Sequence, residues 1–487
     1  MTSHLSLPAP VGEVFAVRPA PARYRSGLIA AVCTAAPILL GQATGHPALG
    51  LIASSGALAA LYSGSGTSAR AEAAEVGAAA LGLTASFALG TALAGHPWAN
   101  VAGNALWAAL AAAVCALLHA RPPGIVMFVL LGTVGGGLPP GEAGQRIAAV
   151  AAVAFTAAAL CCLSALPHHA ALPKPEPQAR SLTQLPYAIR GLARSPIPWM
   201  SARTGLGVAI AGSAALACGL QRPYWAMAAA GAVMARGSFA GGTRTLALLR
   251  GTGTAAGCLL AGAIAWLRPE GLAVAVVLAA LTFITELVVV HNYAAAMVFV
   301  TPLSTVLVAA ASHDGAVFSL AGDRLLETVL GCLAAVLAGQ LATRRWAVRQ
   351  RRRALAGVLY ASADLMEEPG RAQHVTALHH AHSQMLLVGD RTAGERRSVR
   401  SAVAGLNEVG AAVRDLAERH LQPHGAAHGD ARRTAAEARR LARLLDPGSG
   451  SRSAAPAPPA ALADLRNTIE RWAASTDRPT TCERSTP

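Results

Sequence analysis

Charge is scarce in this sequence. Charged side chains make up 13% of its 487 residues, about half of what a soluble domain carries. Lysine is nearly absent, with Lys174 alone, so the basic side chains are arginines. Aromatic residues reach only 4%, so a core of stacked rings is excluded and packing falls to Ala, Leu, Val and Gly. The eight cysteines show neither a disulfide framework nor zinc-ligand spacing, and the adjacent Cys161 and Cys162 read as chance neighbours. The first 25 residues lack the charged start, apolar core and cleavage site of a signal peptide.

What is present is apolar. Hydrophobic residues are 53% of the chain and mean hydropathy is +0.43, which points to lipid as the solvent. The net charge of +15 would suit a nucleic-acid binder in a polar protein. In one this apolar it fits arginines holding cytoplasmic loops against anionic lipid. Twelve apolar runs stand out, at 26–41, 48–62, 76–95, 100–118, 124–138 and 147–166, then 204–219, 224–235, 251–267, 271–290, 293–311 and 325–343. A spanning helix needs about 20 residues, so 48–62 and 224–235 are short and are expected to be tilted, broken or re-entrant.

The two sets of six runs resemble one another. Arg25-Ser26-Gly27-Leu28 parallels Arg203-Thr204-Gly205-Leu206, Arg146 parallels Arg324, Pro47 parallels Pro223, and Arg70 parallels Arg244. The spacing predicts a tandem 6+6 repeat whose axis runs along the membrane normal, because an even number of spans returns the chain to the same side. With the N-terminus in the cytoplasm, fourteen Lys and Arg before residue 345 face inward, against Arg146, Arg222, Arg268 and Arg324 outside. The positive-inside bias therefore places both termini in the cytoplasm of a bacterial-type cell membrane. The domain reading is an N-terminal segment 1–25, a first membrane repeat 26–166, a Pro-rich linker 167–202, a second repeat 203–344, amphipathic cytosolic helices over 345–446, and a linker, short helix and polar end over 447–487. Within the linker, 182–192 reads as a short surface helix, and the tail helices fall at 346–366, 372–389, 394–421 and 431–446.

Few residues carry chemistry. A charge at a helix centre in lipid costs about 2.5–3.5 kcal/mol, and only Glu286 and Glu327 lie within the runs. Glu286 reads either as an interfacial carboxylate that snorkels or as a proton-linked group beside His291. His291-Asn292-Tyr293 forms a tight turn. Thr301-Pro302 follows, and Pro302 marks a helix break facing the bundle, either a packing kink or part of a path. The basic Gly-rich stretch Arg236 to Arg244, with Arg250, is either membrane anchoring or an anion-gathering inner mouth. Its glycines do not form a phosphate loop. His374, His379, His380 and His382 lack the acid or Cys that would complete a metal site. Neither a nucleophile elbow nor a catalytic carboxylate pair is evident, so enzymatic function has no positive signal.

Arg203-Thr-Gly-Leu, Arg222-Pro223-Tyr224-Trp225-Ala226-Met227, Thr243-Arg244, the Arg250-Gly-Thr-Gly stretch, Asn292-Tyr293 and Phe299-Val-Thr301-Pro302 together resemble the fusaric-acid-resistance-type (FUSC) family of bacterial membrane transporters. The likeness is best over 200–345. It is faint over 25–166, where the Pro-Tyr-Trp element has become His46-Pro47-Ala48. The resemblance implies export of aromatic carboxylic acids or related toxic compounds. Distant plant relatives look like six-helix anion channels with helical cytosolic tails, paired around an arginine-lined pore, and partner subunits in the family bridge a second membrane.

The expectation is thus an all-α polytopic membrane protein of about twelve spans that exports small organic anions without a cofactor, metal or nucleic acid. Arg236, Arg244 and Arg250 would gather the carboxylate, Tyr293, Thr301 and Pro302 would line the path, and Glu286 and His291 are the candidates for proton coupling. The alternatives are a channel-like anion conduit of the same fold, or a non-transporting scaffold whose tail docks a cytosolic partner. Partners beyond the bilayer and the anion would be a second copy of the chain or a protein bound by the tail.

Overall fold

The computed structural model describes Ala16, residues 23–64, 69–171 except 119, 121, 122 and 140, residues 197–312 except 237–239 and 268, residues 317–367, and scattered positions over 374–381 and 435–443. The predicted helices at 182–192, 394–421 and within 447–487 lie outside the described residues, as do His379 and His382.

The described residues are helical and contain no strand. Helices α1 (Tyr24–Ala43), α2 (Pro47–Ser54), α3 (Ala69–Ala92), α4 (Pro97–Leu117), α5 (Val126–Gly136) and α6 (Ala143–Ala171) come first. Then come α7 (Ile197–Ala217), α8 (Pro223–Arg236), α9 (Ala240–Trp266), α10 (Leu272–Val288), α11 (Tyr293–Ser312) and α12 (Val317–Glu367). Proline opens α2, α4 and α8, at the one helical position where a missing N–H costs nothing. The turns before the first two are Gly45-His46-Pro47 and Gly95-His96-Pro97. In both, the glycine takes positive φ, 77° and 84°, ending the preceding helix where a side chain would be strained. Asn292 caps α11: its Oδ1 accepts from the Ala295 N–H at 2.9 Å, satisfying a helix-end donor.

Among the described residues, five helices are long and apolar enough to cross a membrane: α1, α3, α4, the Ala143–Leu166 part of α6, and the Gly242–Trp266 part of α9. The shorter apolar stretches are Pro47–Tyr62, Val126–Gly136, Leu272–Val288 and Tyr293–Ala309. The short run 48–62 is indeed interrupted, because α2 passes at Ser55 into a 3-10 segment, Ser55–Tyr62. Large apolar side chains point outward, among them Leu259, Leu106, Leu163 and Trp266. Water would oppose such a surface and lipid accepts it.

The chain divides into two compact units. The first comprises residues 1–238 and 243–339, and the second comprises 239–242 and 340–487. In the first, α1 packs on α10, α4 on α7, α2 on α11 and α5 on α8. Glycines let backbones approach, as small residues do in lipid. A methyl at Gly90 of α3 would fall on the Gly132 carbonyl of α5, and one at Gly257 of α9 would lie 2.6 Å from Thr301 Cβ of α11.

In the second unit, Leu355, Leu359 and Leu365 pack with Leu378, Ala435, Ala438 and Ala442. Arg439 reaches Asp364 at 2.7 Å and also pairs with both carboxylate oxygens of Glu367. The Glu367 hydrogen bond, with Asp364, raises the Arg439 pKa above its ordinary value.

Three expectations need correction. The twelfth run and the first tail helix are one helix, α12, because neither Pro nor Gly stops the Ala-, Leu- and Arg-rich stretch between them. Pro302 does not break α11, which continues through it to Ser312. The carbonyl freed by Pro302 is that of Val298, and α9 approaches this carbonyl closely at Gly257. Glu286 does not snorkel: it is 2% exposed, covered by α1 at Gly27, and its Oε2 lies 3.5 Å from Arg23 Nη1.

Candidate functional site

The second half of the first unit holds polar groups that lipid-surrounded helices do not need for packing. Arg250, on α9, is 5% exposed. Its Nη1 donates to the Tyr293 hydroxyl at 2.9 Å and contacts Met297 Sδ at 3.5 Å. Both partners are on α11, whose start is set by the Asn292 cap. Thr301, two turns along α11, is 1% exposed and returns its hydroxyl hydrogen to the Met297 carbonyl at 2.8 Å. Pro302 beside it is buried. Of the predicted site residues, Arg250, Tyr293, Thr301 and Pro302 thus meet along the α9–α11 contact.

The others lie elsewhere. Arg244 is exposed, and the Arg236 side chain is outside the described residues. Glu286 pairs with Arg23 at the α1–α10 contact. His291 Nδ1 lies 2.8 Å from the Leu287 carbonyl oxygen. A carbonyl only accepts, so that nitrogen carries the ring proton. Glu286 and His291 thus each have a contact of their own.

Sequence reasoning missed the residues opposite Arg250. Arg324 of α12 is 2% exposed, and its guanidinium carbon sits 4.8 Å over the ring of Trp225 on α8. Trp225 is itself 1% exposed, with Tyr224 edge-on at 5.4 Å. Arg222 approaches the same ring at 6.0 Å and pairs with Asp323 at 3.3 Å. The Arg222 backbone N–H donates to Glu327 Oε1 at 3.0 Å. Arg203, the counterpart of Arg25, is also buried, with partners of its own. In the first half Arg25 is answered by the Glu72 carboxylate at 2.8 Å.

The missed signal was one of register. Arg324 was read as opening a span, yet α12 begins at Val317, so Arg324 lies almost two turns inside. Among the described residues, nothing clusters enough His, Cys, Asp or Glu to hold a metal ion.

What such an arrangement can do is bind anions. Two guanidinium groups held by an aromatic face and a phenol present in-plane N–H donors in a setting where charge is weakly screened.

Comparison with known proteins agrees with the sequence motifs. Residues 209–338 match the model of a family described as fusaric acid resistance protein-like. That segment contains Arg222, Trp225, Arg250, Tyr293, Thr301, Arg324 and Glu327. The uncharacterized membrane protein YvaC of Bacillus subtilis (strain 168) is 32% identical over 178 residues, 36% of this chain. The match spans 28% of YvaC's own length. No solved structure matches the chain. The resemblance read from the motifs thus holds for the second half, and the chain is a membrane protein with several apolar helices.

Proposed function

We propose that this protein is a membrane transporter that exports small organic anions, aromatic carboxylic acids among them, through its second half. The observation that carries the reading is Arg250, buried in a lipid-exposed helical unit and held by Tyr293 at 2.9 Å. Buried arginines within membrane segments mark ion or substrate paths, and the fusaric acid resistance-like match covers this region.

The reading includes about twelve spans as a 6+6 repeat, with both termini in the cytoplasm. Reciprocal packing supports the repeat. The first helix of each half packs on the fourth of the other, in the α1–α10 and α7–α4 contacts. The second of each packs on the fifth of the other, in the α2–α11 and α8–α5 contacts. The driving force need not be a proton gradient, since an inside-negative potential moves an anion outward with about 2.3 kcal/mol per charge per 100 mV. The engagement of Glu286 by Arg23 and of His291 by Leu287 favours that simpler scheme.

The test is efflux of benzoate from proteoliposomes under an imposed potential. Arg250→Ala should lower the flux about tenfold or more, the loss of a charged hydrogen-bonding partner. Unchanged flux at equal protein content would overturn the assignment.

A further inference from the structure

We infer that the contact between Arg23 and Glu286 is a releasable latch on the α1–α10 seam between the two halves, the seam that opens as the protein works. The inference rests on the transport reading for its purpose, and on the packing of the two halves for its mechanics.

The halves meet along matching seams, α1 on α10 and α7 on α4. Matching glycines sit in them, Gly27 and Gly205, within the parallel stretches Arg25-Ser26-Gly27-Leu28 and Arg203-Thr204-Gly205-Leu206. What these glycines face differs. A methyl on Gly27 would lie 3.3 Å from Glu286 Cβ. One on Gly205 would lie 3.0 Å from Ala109 Cβ and 2.8 Å from the Ala105 carbonyl oxygen. Helix α4 carries no acidic residue, and Ser201 stands where the parallel would place a counterpart of Arg23. At equivalent places, one seam sets a carboxylate against an arginine and the other sets backbone against a methyl.

The pair is loosely made. Arg23 Nη2 donates to the carbonyls of Leu61 at 2.7 Å and Ser63 at 2.8 Å, which fixes the guanidinium to the first half. Its Nη1 reaches across the seam to Glu286 Oε2 at only 3.5 Å, and that oxygen accepts no hydrogen bond among the described residues. Glu286 is buried while Arg23 is partly exposed. A buried carboxylate with a distant partner has given up hydration for a modest return. Parting α1 from α10 here lets water reach Glu286 and restores that hydration. Parting α7 from α4 forfeits close contacts with no such gain. The first seam is therefore the one that opens, and the second is its pivot.

Opening has a consequence for Arg250. Glu286 lies on the last turn of α10, and the turn at His291-Asn292 leads directly to Tyr293, which accepts from Arg250. The same turn is tied a second time to the chain ahead of α1, because Asn292 Nδ2 donates to the Ala16 carbonyl at 3.1 Å. Release of the latch frees this turn to move, and Tyr293 moves with it.

The experiment bridges the seam covalently in the full chain. The 3.3 Å between a Gly27 methyl and Glu286 Cβ is close to the span of about 3.5–4.5 Å between the Cβ atoms of a disulfide. Gly27→Cys with Glu286→Cys is reconstituted, and benzoate efflux is measured reduced, after copper-phenanthroline oxidation, and after dithiothreitol. Peptide mass spectrometry locates the bridge, and the unaltered protein taken through the same steps is the reference. Bridging should lower flux at least about tenfold, and reduction should restore it. A second measurement does not depend on flux. Gly27 is buried in the seam, so a maleimide reaches Gly27→Cys in lipid nanodiscs when the seam parts. Adding Glu286→Gln removes the charged partner and should quicken that labelling about tenfold. This measurement carries the test if the double cysteine variant does not fold.

Bridged protein that moves benzoate as fast as its reduced form would sink the latch and leave the transport reading standing. Labelling of Gly27→Cys at the same rate with and without Glu286→Gln would sink it as well. If the unaltered protein moves no benzoate while Glu286→Gln quickens labelling, the transport reading fails and the latch stands.

Discussion

Replacing Gly90 by Ala tests the helix packing most directly. Gly90 lies where α3 crosses α5. A methyl there would fall on the Gly132 carbonyl oxygen, 2.9 Å from the Gly132 carbonyl carbon and 2.8 Å from the Gly136 nitrogen. Ordinary contact begins near 3.4 Å, and the obstacles are backbone atoms that cannot rotate away. The Gly132 oxygen is nearest, so the helices would have to part by more than about 1 Å, a gap that forfeits about half or more of each contact's attraction. Overpacking of this kind costs roughly 1–3 kcal/mol, and a backbone obstacle puts the cost near the top. Alanine returns about 1 kcal/mol of helix propensity, leaving a net loss of about 2 kcal/mol.

Gly77, on the same helix, has nothing within 4 Å of such a methyl, so Gly77→Ala keeps the propensity gain alone. The assay is thermal loss of the monodisperse peak on size-exclusion chromatography in detergent. Gly90→Ala should melt roughly 3–6 °C below the unaltered protein, and Gly77→Ala at or above it. Equal melting of Gly90→Ala and Gly77→Ala would refute the close approach of α3 and α5.

Other outcomes follow from the same geometry. Tyr293→Phe removes the acceptor of the Arg250 hydrogen bond, worth about 1.5–3 kcal/mol for a charged donor, so benzoate flux should fall at least about tenfold with normal protein levels. Arg244→Ala changes an exposed side chain and should leave transport within about twofold in proteoliposomes at physiological salt. Cys218 is exposed between α7 and α8. With both termini in the cytoplasm, an impermeant maleimide should label it in intact cells and should leave Cys482 unlabelled until the membrane is opened. The reverse pattern would invert the topology. Arg439→Ala removes a partly exposed clamp on Asp364 and Glu367. Surface ion pairs are worth about 0–1 kcal/mol, so amide exchange near residues 360–367 should quicken without global unfolding.

Scarce charge and long apolar runs were enough to announce lipid, because a bilayer imposes length and hydropathy on each helix separately. Among the described residues helix existence was therefore legible, as was the turn at His291-Asn292. The fate of Pro302 was not legible. Proline's lost hydrogen bond is tolerated within a helix when a neighbour packs on the freed carbonyl, and that neighbour, α9, is distant in sequence. The continuity of α12 escaped for a different reason. Hydropathy falls sharply near Arg344, but helical propensity does not, and hydropathy alone suggested a boundary.

The role of each charge lay entirely in the tertiary arrangement. Glu286 and Glu327 look alike along the chain, each an acid inside an apolar run. Folding brings the Arg23 guanidinium to the first and the Arg222 backbone N–H to the second. Arg324 itself reads as a loop anchor until α8 sets Trp225 beneath it. Solvent preference is a property of residue type and summed composition, so it can be read one position at a time. The balance of charge at a point in low dielectric depends on distances between residues far apart in sequence, as Arg23 and Glu286 are, and only packing settles those.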